Sequence, residues 1–268
     1  MEGTGNSFLI FDLRSKPGSL ESWLKSWGFK NQKEGLLFLA QKQDVDGLVF
    51  LRPSSKGDFG WEFFNRDGSV AEMCGNAARC VVQFIYDQDQ KKEVSFQTEA
   101  GLVHGRHLSE GYVEVEMPLP QWRSATNYMG ESVRQVVVGV PHGVKRLSLG
   151  KDFFRKVQND KKNWAQGLRA QENVNVTFFQ EEAAGSLKAI SFERGVEDFT
   201  KACGTGACAA AVSYMEDSGF LGKVSLQLPG GSVVVYYREG KLFLEGPVCY
   251  IQEKMGKENF FNNLEAKT

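Results

Sequence analysis

The sequence is poor in histidine and cysteine, balanced in charge and without long apolar runs. Lys and Arg together number 32 against 33 for Asp and Glu, so no basic surplus indicates nucleic acid or an anionic membrane surface as a partner. No apolar run approaches the roughly 18 residues of a membrane span, and residues 1–16 lack the basic and apolar regions of a signal peptide. We therefore expect a cytoplasmic protein that acts on a small molecule, with no nucleic-acid or membrane partner.

The five cysteines and three histidines do not form a recognisable metal or disulfide pattern. An odd and low cysteine count in a chain of 268 residues fits reduced thiols rather than a disulfide scaffold. The intervals from Cys74 to Cys80 and from Cys203 to Cys208 are six and five positions, whereas zinc sites usually use CxxC pairs or matching histidines. We therefore expect no metal, and the cysteines need another explanation.

Two of the cysteines, Cys74 and Cys203, lie in similar small-residue surroundings. Residues 71–80 read AEMCGNAARC and residues 202–208 read ACGTGAC, so each cysteine precedes a glycine and a helix-like run. Three further landmarks recur at an offset of 128 to 130 positions: FNRDG (64–68) with FERG (192–195), EVSFQTEAGLV (93–103) with KVSLQLPGGSV (223–233), and YVEVEMP (112–118) with LFLEGP (242–247). This repetition indicates two halves of one architecture.

Each half has the same predicted order of elements. A short aromatic strand, WEFFN or AISFE, precedes the Cys-Gly corner, an Ala- and Val-rich buried helix follows it, and alternating strands separated by Gly and Pro come next. Such strands form hairpins, so we predict an α+β fold of two pseudo-symmetric domains, each a mostly antiparallel sheet around a central helix, with the active site in the interdomain cleft. The predicted boundaries are 1–120 and 121–255 for the halves and 256–268 for a tail.

The Cys-Gly corner itself indicates a chemistry. A thiol at a helix N-terminus lies beside unpaired backbone N–H groups and the positive end of the helix dipole, which lower its pKa below about 8.5 and attract an anion. Gly75 and Gly204 allow a ligand to approach the backbone closely. If the two corners face each other, two thiols flank one carbon while the helix ends hold one carboxylate. One thiolate then removes an α-proton and the opposite thiol returns one, which inverts the centre.

Seven segments make the chain resemble the diaminopimelate epimerase family, whose members use two cysteines and no pyridoxal phosphate in lysine and peptidoglycan synthesis. The segments are GTGNSF (3–8), DGL (46–48), FNRDGSVAEMCGNAARC (64–80), VPH (140–142), ENVNV (172–176), FERG (192–195) and ACGTGACAAA (202–211). The resemblance implies no cofactor, and it implies a proton-transfer pair made of Cys74 and Cys203. The residues whose backbone it assigns to the carboxylate are Gly75, Asn76, Gly204 and Thr205. Its further substrate contacts are Asn6, Asn65, Asn173, Glu193 and Arg194, with His142 in a supporting role.

One departure from the family bears on the substrate. Where members usually have Asn-Pro-His, this chain has Val140-Pro141-His142, so one polar contact with the far end of diaminopimelate is absent. The favoured function is interconversion of LL- and meso-diaminopimelate, and the first alternative is a racemase or epimerase of another amino acid with the same two cysteines. A non-catalytic amino-acid-binding homologue is the alternative of another class, disfavoured because a binder has no need for two opposed thiols. A homodimer is left open, as is the identity of the cysteine that rests as the thiolate.

Overall fold

The computed structural model describes residues 1–16 and 18–251, so the tail proposed for 256–268 lies outside the described residues. The strands of the first half are β1 (Glu2–Gly3), β2 (Asn6–Asp12), β3 (Gly47–Arg52), β4 (Phe59–Asn65), β5 (Glu93–Thr98), β6 (Gly101–Ser109) and β7 (Tyr112–Met117). Those of the second half are β8 (Gln121–Tyr128), β9 (Glu131–Val138), β10 (Val140–Arg146), β11 (Asn175–Ala183), β12 (Ser186–Glu193), β13 (Asp198–Phe199), β14 (Val224–Leu228), β15 (Gly231–Arg238) and β16 (Lys241–Pro247). The helices are α1 (Leu20–Ser26), α2 (Gln32–Gln43), α3 (Gly75–Asp89), α4 (Phe153–Asp160), α5 (Lys162–Glu172) and α6 (Gly204–Ser218), and Gly150–Asp152 forms a 3-10 turn.

The strands form one continuous sheet in which the two halves repeat the same pairing pattern. In the first half β2 runs parallel to β3, β3 antiparallel to β4, and β4 parallel to β5, while β5, β6 and β7 form an antiparallel meander. The second half repeats this order with β10, β11, β12, β14, β15 and β16. The last strands of the halves, β7 and β16, pair with each other in antiparallel fashion. The prediction of an α+β fold built from an internal repeat is confirmed.

A long helix lies at the centre of each half. Helix α3 packs on β1, β2, β6 and β7, and helix α6 packs on β9 to β12, β14 and β15. Both helices have 15 residues, and ten residues of each are buried. Their small side chains allow strands to pack closely on several sides of each helix. In the chain α3 follows β4, and α6 follows the short strand β13, which pairs with β12.

The other helices cover the outer side of the sheet. Helices α1 and α2 enclose an apolar cluster with β2 and β3, and helices α4 and α5 enclose another with β11 and β12. The largest apolar cluster contains residues of both α3 and α6, so a single core joins the two halves. Among the described helices, none is both long and apolar enough to span a membrane.

The polar stretch 121–132, proposed as the boundary between the halves, contains a strand. Residues Gln121–Tyr128 form β8, which pairs with β9 of the second half. Most of the side chains of β8 are exposed, so its polar composition is that of an edge strand and not of a linker. We retain 120/121 as the proposed boundary because β8 begins at Gln121.

Candidate active site

Cys74 and Cys203 are the N-cap residues of α3 and α6. Both have extended backbone conformations, with φ and ψ of −141° and 118° for Cys74 and −125° and 108° for Cys203. The first-turn N–H groups of a helix have no acceptor within that helix, so the cap residue lies among free donors. At Cys203 one of these donors has a partner, because the Gly206 N–H donates a hydrogen bond to the Cys203 thiol at 3.4 Å. Each helix begins directly after its cysteine, as the sequence predicts.

The two helix N-termini approach each other closely. A Cβ atom added to Gly204 would lie 3.5 Å from the Gly75 Cα, and one added to Gly75 would lie 3.8 Å from the Gly204 Cα. Either added atom would also lie 3.0 Å from the Leu244 side chain, which is tighter than ordinary contact. Glycine at both corners leaves room for this close approach. The positive ends of two helix dipoles meet there, and such a place suits an anion.

Burial dominates the electrostatics of both thiols. It raises the pKa of Cys74, against backbone hydrogen bonds from Ala77 and Asn76 that lower it. Burial also raises the pKa of Cys203 well above its usual value, and the charge of Glu193 raises it further. The expectation that the helix N-termini bring the thiol pKa values below about 8.5 is therefore wrong, because the cost of desolvating a thiolate outweighs the helix ends.

Glu193, the last residue of β12, acts on both cysteines. Its carboxylate accepts hydrogen bonds from the Thr200 hydroxyl and from the Cys203 thiol. Its negative charge also contributes to the raised pKa of Cys74. Burial raises the pKa of Glu193 itself. A thiol that donates to a carboxylate is held in its protonated form, so Cys203 is the more firmly protonated of the two thiols.

His142 is fully buried and joins a chain of hydroxyl groups that ends at Cys203. Its Nδ1 lies 3.0 Å from the Thr177 Oγ1, which in turn lies 2.8 Å from the Ser191 Oγ. Its Nε2 lies 3.0 Å from the Thr205 Oγ1, and that oxygen lies 3.4 Å from the Cys203 Sγ. Burial lowers the pKa of His142 to about 3. His142 is therefore neutral at physiological pH, and it orients the Thr205 hydroxyl instead of carrying charge.

Asn6 and Asn76 meet on the side of Cys74. The Asn76 Nδ2 donates to the Asn6 Oδ1 at 2.7 Å, which connects the start of β2 to the first turn of α3. Asn76 is almost fully buried, with 1% of its surface exposed, whereas Asn6 is half-buried. The pair therefore places one carboxamide next to the helix N-terminus, with part of Asn6 open to solvent.

Asn65 and Arg194 lie at the ends of the strands that precede the two corners. The Asn65 Nδ2 donates to the Ser69 Oγ at 3.0 Å, and Asn65 is exposed at the end of β4. Arg194 follows Glu193 directly, is exposed, and donates its backbone N–H to the Asn175 Oδ1 at 2.8 Å. Among the described residues, no cluster of three or more His, Cys, Asp or Glu side chains could hold a metal ion.

Asn173 lies outside this arrangement, and Asn175 lies within it. Asn173 is the exposed C-cap of α5, with φ of 55°, and its Oδ1 accepts from Arg169 at 3.5 Å. Asn175 is buried on β11, where it is the register partner of His142 on β10. Val176 pairs with Phe192 on β12, which places Asn175 opposite Glu193. Strand alternation in VNVTFF could have identified it, since Asn175 and Thr177 share one face of β11.

We predict that Asn175→Ala raises the KM for the substrate about tenfold, whereas Asn173→Ala changes it less than twofold. The first substitution leaves the Arg194 backbone N–H without its partner and removes a buried carboxamide, a loss on the scale of about 1.4 kcal/mol. The second removes an exposed, long hydrogen bond at a helix end. Steady-state kinetics of the two variants, two positions apart on the same segment, provides a matched comparison. The reverse order of effects would return Asn173 to the site.

The repeated pairing pattern relates Val140 to Asn6. Phe8 pairs with Gly47 in β2 and β3, and His142 pairs with Asn175 at the equivalent position of β10 and β11. Asn6 lies two residues before Phe8, and Val140 lies two residues before His142. Asn6 and Val140 therefore occupy equivalent positions in the two halves. In a strand, residues i and i+2 face the same side, so Val140 shares a face with His142. The first half presents a carboxamide where the second half presents an isopropyl group.

The comparisons with known proteins cover most of the chain. A family model described as "Diaminopimelate epimerase" matches residues 2–122 and 136–251. The diaminopimelate epimerase of Chlamydia trachomatis serovar D is 33% identical over 273 residues, which cover 96% of this chain and 90% of that protein. That of Aquifex aeolicus is 36% identical over 230 residues, which cover 81% of this chain and 80% of that protein.

Two solved structures share the fold at low identity. A phenazine biosynthesis protein of the PhzF family from Bacillus anthracis has a TM-score of 0.67 and 12% identity, covering 94% of this chain and 93% of that chain. A probable proline racemase from Agrobacterium radiobacter has a TM-score of 0.65 and 12% identity, covering 96% and 91%. These two likenesses concern architecture alone. The family match, in contrast, includes both Cys-Gly corners and most of each half, and on that ground the chain belongs to the diaminopimelate epimerase family.

Proposed function

We propose that the chain interconverts LL- and meso-diaminopimelate by proton transfer between Cys74 and Cys203. The observation that carries the proposal is the close approach of two helix N-termini that each begin with a thiol, with Gly75 and Gly204 almost in contact. The proposed substrate is inferred from the relatives, which are named diaminopimelate epimerases. The duplicated corner supplies the chemistry, because inversion of a carbon needs a base on one face and an acid on the other.

The helix ends would hold the α-carboxylate of the substrate. Backbone N–H groups of the first turns have no helical acceptor, and those of Gly75, Asn76, Gly204 and Thr205 lie where the two helices meet. Removal of the α-proton places negative charge on the α-carbon and its carboxylate. Fixed N–H dipoles aimed at that carboxylate stabilise this charge without reorganisation. The proposal therefore assigns no cofactor and no metal to the reaction.

The proton transfer uses the two thiols in opposite states. The Cys74 thiolate removes the α-proton and becomes a thiol, while the Cys203 thiol gives its proton to the opposite face and becomes a thiolate. The reverse reaction exchanges these roles. Burial raises the pKa of both thiols, and we assign the thiol that ionises more readily to Cys74 because Glu193 accepts a hydrogen bond from the Cys203 thiol and adds a negative charge beside it. Glu193 raises the pKa of Cys74 as well, but there the backbone N–H groups of Ala77 and Asn76 and the Arg79 cation lower it.

The far end of diaminopimelate carries a second ammonium and a second carboxylate. Arg194 offers a planar donor fork for that carboxylate, and its exposed side chain is free to turn toward it. Asn65 and Asn175 supply carboxamide groups at the ends of β4 and β11, and Glu193 a carboxylate. Val140, equivalent by register to Asn6, supplies no hydrogen bond at the corresponding position of the second half.

We predict that Val140→Asn lowers the KM for diaminopimelate about tenfold. The new amide restores a hydrogen bond to a charged group, a contact worth roughly 1.5 to 3 kcal/mol, and one factor of ten corresponds to about 1.4 kcal/mol. Val140→Leu is the control, because it changes the shape of the side chain without adding a donor. An unchanged KM in Val140→Asn would mean that another group already satisfies the carboxylate.

Val140 also motivates a second candidate within the family, a racemase or epimerase of an amino acid with an uncharged far end. An apolar side chain beside His142 reduces the polar contacts available to a distal carboxylate. This candidate keeps the two-cysteine mechanism and changes only the substrate.

Proton NMR in deuterated water tests the function directly. Purified protein is incubated with LL-diaminopimelate and, separately, with a panel of monocarboxylic amino acids, without added cofactor. Loss of the α-proton signal of diaminopimelate, with appearance of the meso isomer, is the expected result. Exchange in a monocarboxylic amino acid alone would favour the second candidate, and no exchange in any of them would contradict an epimerase.

The proposed cellular location rests on the free cysteines. All five cysteines are free in the structure, including the exposed Cys249, which suits a reducing compartment. We therefore keep the cytoplasm as the proposed location and a small amino acid as the proposed partner.

A further inference from the structure

Arg79 is a fully buried cation without a carboxylate partner in the described part of the chain. It lies in the second turn of α3, five residues after Cys74, and none of its surface is exposed. Its Nε and NH1 have no hydrogen-bond partner there. Its NH2 donates to the Asn76 Oδ1 at 2.9 Å and to the Thr4 Oγ1 at 2.7 Å. A buried charge of this kind costs several kcal/mol of desolvation.

The guanidinium fixes the direction of two carboxamides. Arginine has donors and no acceptor, so Asn76 must turn its oxygen toward Arg79. The amide nitrogen of Asn76 then donates to the oxygen of Asn6. Asn6 is consequently left with its own Nδ2 donors, which have no protein partner among the described residues. A donor at this position suits a carboxylate, whereas the opposite orientation would present an oxygen that repels one.

The same NH2 also holds an unfavourable turn in place. Thr4 and Gly5 form the two-residue turn between β1 and β2, and both have positive φ, 54° and 86°. A β-branched residue in this region is rare and costs roughly 1 to 2 kcal/mol. Asn6 follows this turn directly, so the hydrogen bond from Arg79 to Thr4 contributes to the position of Asn6.

The positive charge itself acts on one side of the site. The titratable groups that interact with Arg79 are the thiols of Cys80, Cys74 and Cys208, and of these only Cys74 belongs to the site. Arg79 lowers the pKa of Cys74, while Glu193 raises it. Cys203 is influenced by burial, Glu193, Thr205 and Gly206. The charge of Arg79 thus distinguishes the two thiols.

We propose that Arg79 is a positioning residue which, through Asn76, makes Asn6 present its amide donors to the substrate carboxylate, and whose buried charge favours an anion at the N-terminus of α3. It does not touch the substrate. The part of this role that concerns the carboxylate rests on the proposed function, and the part that concerns Cys74 does not.

The test compares Arg79→Met, which removes both donor and charge, with Arg79→Lys, which keeps both in reduced form. Arg79→Met is expected to raise the KM for diaminopimelate about tenfold or more and to change kcat less, and Arg79→Lys is expected to recover most of the loss. Iodoacetamide labelling followed by peptide mass spectrometry, from pH 6 to 10, gives the reactivity of Cys74 and Cys203 separately. In Arg79→Met the Cys74 profile should move to higher pH while the Cys203 profile stays. Arg134→Met, which loses an arginine contact to Ser213 and Asp217 of α6, is the matched control for general destabilisation.

A double variant separates positioning from support of the turn. Adding Thr4→Gly to Arg79→Met removes the strained residue and is expected to raise the melting temperature above that of Arg79→Met without restoring the KM or the Cys74 profile. Recovery of KM and profile in the double variant would overturn the proposal, as would a wild-type KM and an unmoved Cys74 profile in Arg79→Met. Because labelling needs no substrate, a wild type that fails to turn over diaminopimelate contradicts the proposed function while the Cys74 profile still decides the role of Arg79.

Discussion

Cys74→Ser and Cys203→Ser are each expected to lower stereoinversion of diaminopimelate by well over 10²-fold. Each substitution removes the acid or the base on one face of the α-carbon, and a positioned acid–base group contributes about 10²- to 10⁴-fold. A serine hydroxyl at a helix N-cap is neither a sufficient base nor a sufficient acid at neutral pH, but it is a favourable cap residue, so both variants should remain folded. Initial rates by a chiral assay, with circular dichroism as the test of folding, give the result.

Cys80→Ser is the matched control for these variants. Cys80 is fully buried on α3, six residues after Cys74, and lies outside the meeting point of the two helix ends. A buried hydroxyl without a partner costs about 1 to 3 kcal/mol, so the melting temperature should fall while turnover of the folded protein persists. Full activity in Cys74→Ser or in Cys203→Ser would contradict the assignment of the pair.

Glu193→Gln is expected to lower kcat at the basic end of its pH profile. Glu193 accepts the hydrogen bond of the Cys203 thiol, and its charge contributes to the raised pKa of that thiol. Removing the charge lowers the pKa of Cys203, so less of the thiol is protonated as the pH rises. The basic limb of the kcat–pH profile should therefore move to lower pH. At pH values above that limb, kcat should fall by up to about 10²-fold, the contribution of an acid–base group.

Glu197→Gln provides the control four residues away. Glu197 forms an exposed ion pair with Arg169 at 2.8 Å, a contact of the kind that contributes about 0 to 1 kcal/mol. Its kcat and pH profile should match those of the wild type. A pH profile of Glu193→Gln that does not move, or that moves to higher pH, would remove Glu193 from the control of Cys203.

The repeat made most of the fold predictable from the sequence. The Cys-Gly corners, the helices after them and the strands EVSFQT, YVEVEM and LFLEG all occur where the pattern places them, in α3, α6, β5, β7 and β16. Because the pattern recurs at an offset of 128 to 130 positions, each element could be predicted from two segments of the sequence. Hairpin strands with alternating side chains are also the elements whose periodicity is strongest. Family membership followed from the same segments and is confirmed.

Other features depend on tertiary contacts that the sequence pattern does not carry. Strand β8 has almost no buried side chain, so its alternation is lost and QWRSATNY has the composition of a loop. Asn173 and Asn175 differ by two positions, and only the end of α5 decides that the first is a helix cap while the second lies on a strand. The raised thiol pKa values depend on burial, and local sequence at a helix N-terminus cannot report burial.

Deuterium incorporation during the first turnovers tests the two-base account most directly. LL-diaminopimelate is incubated with the enzyme in deuterated water, and the remaining substrate and the meso product are separated and analysed by mass spectrometry at low conversion. With two thiols on opposite faces, the incoming proton comes from a group equilibrated with solvent, whereas the removed proton stays on the other thiol. The account predicts one α-deuterium in the meso product and almost none in the recovered LL substrate. Equal labelling of substrate and product would show a single base serving both faces, and would contradict the pairing of Cys74 with Cys203.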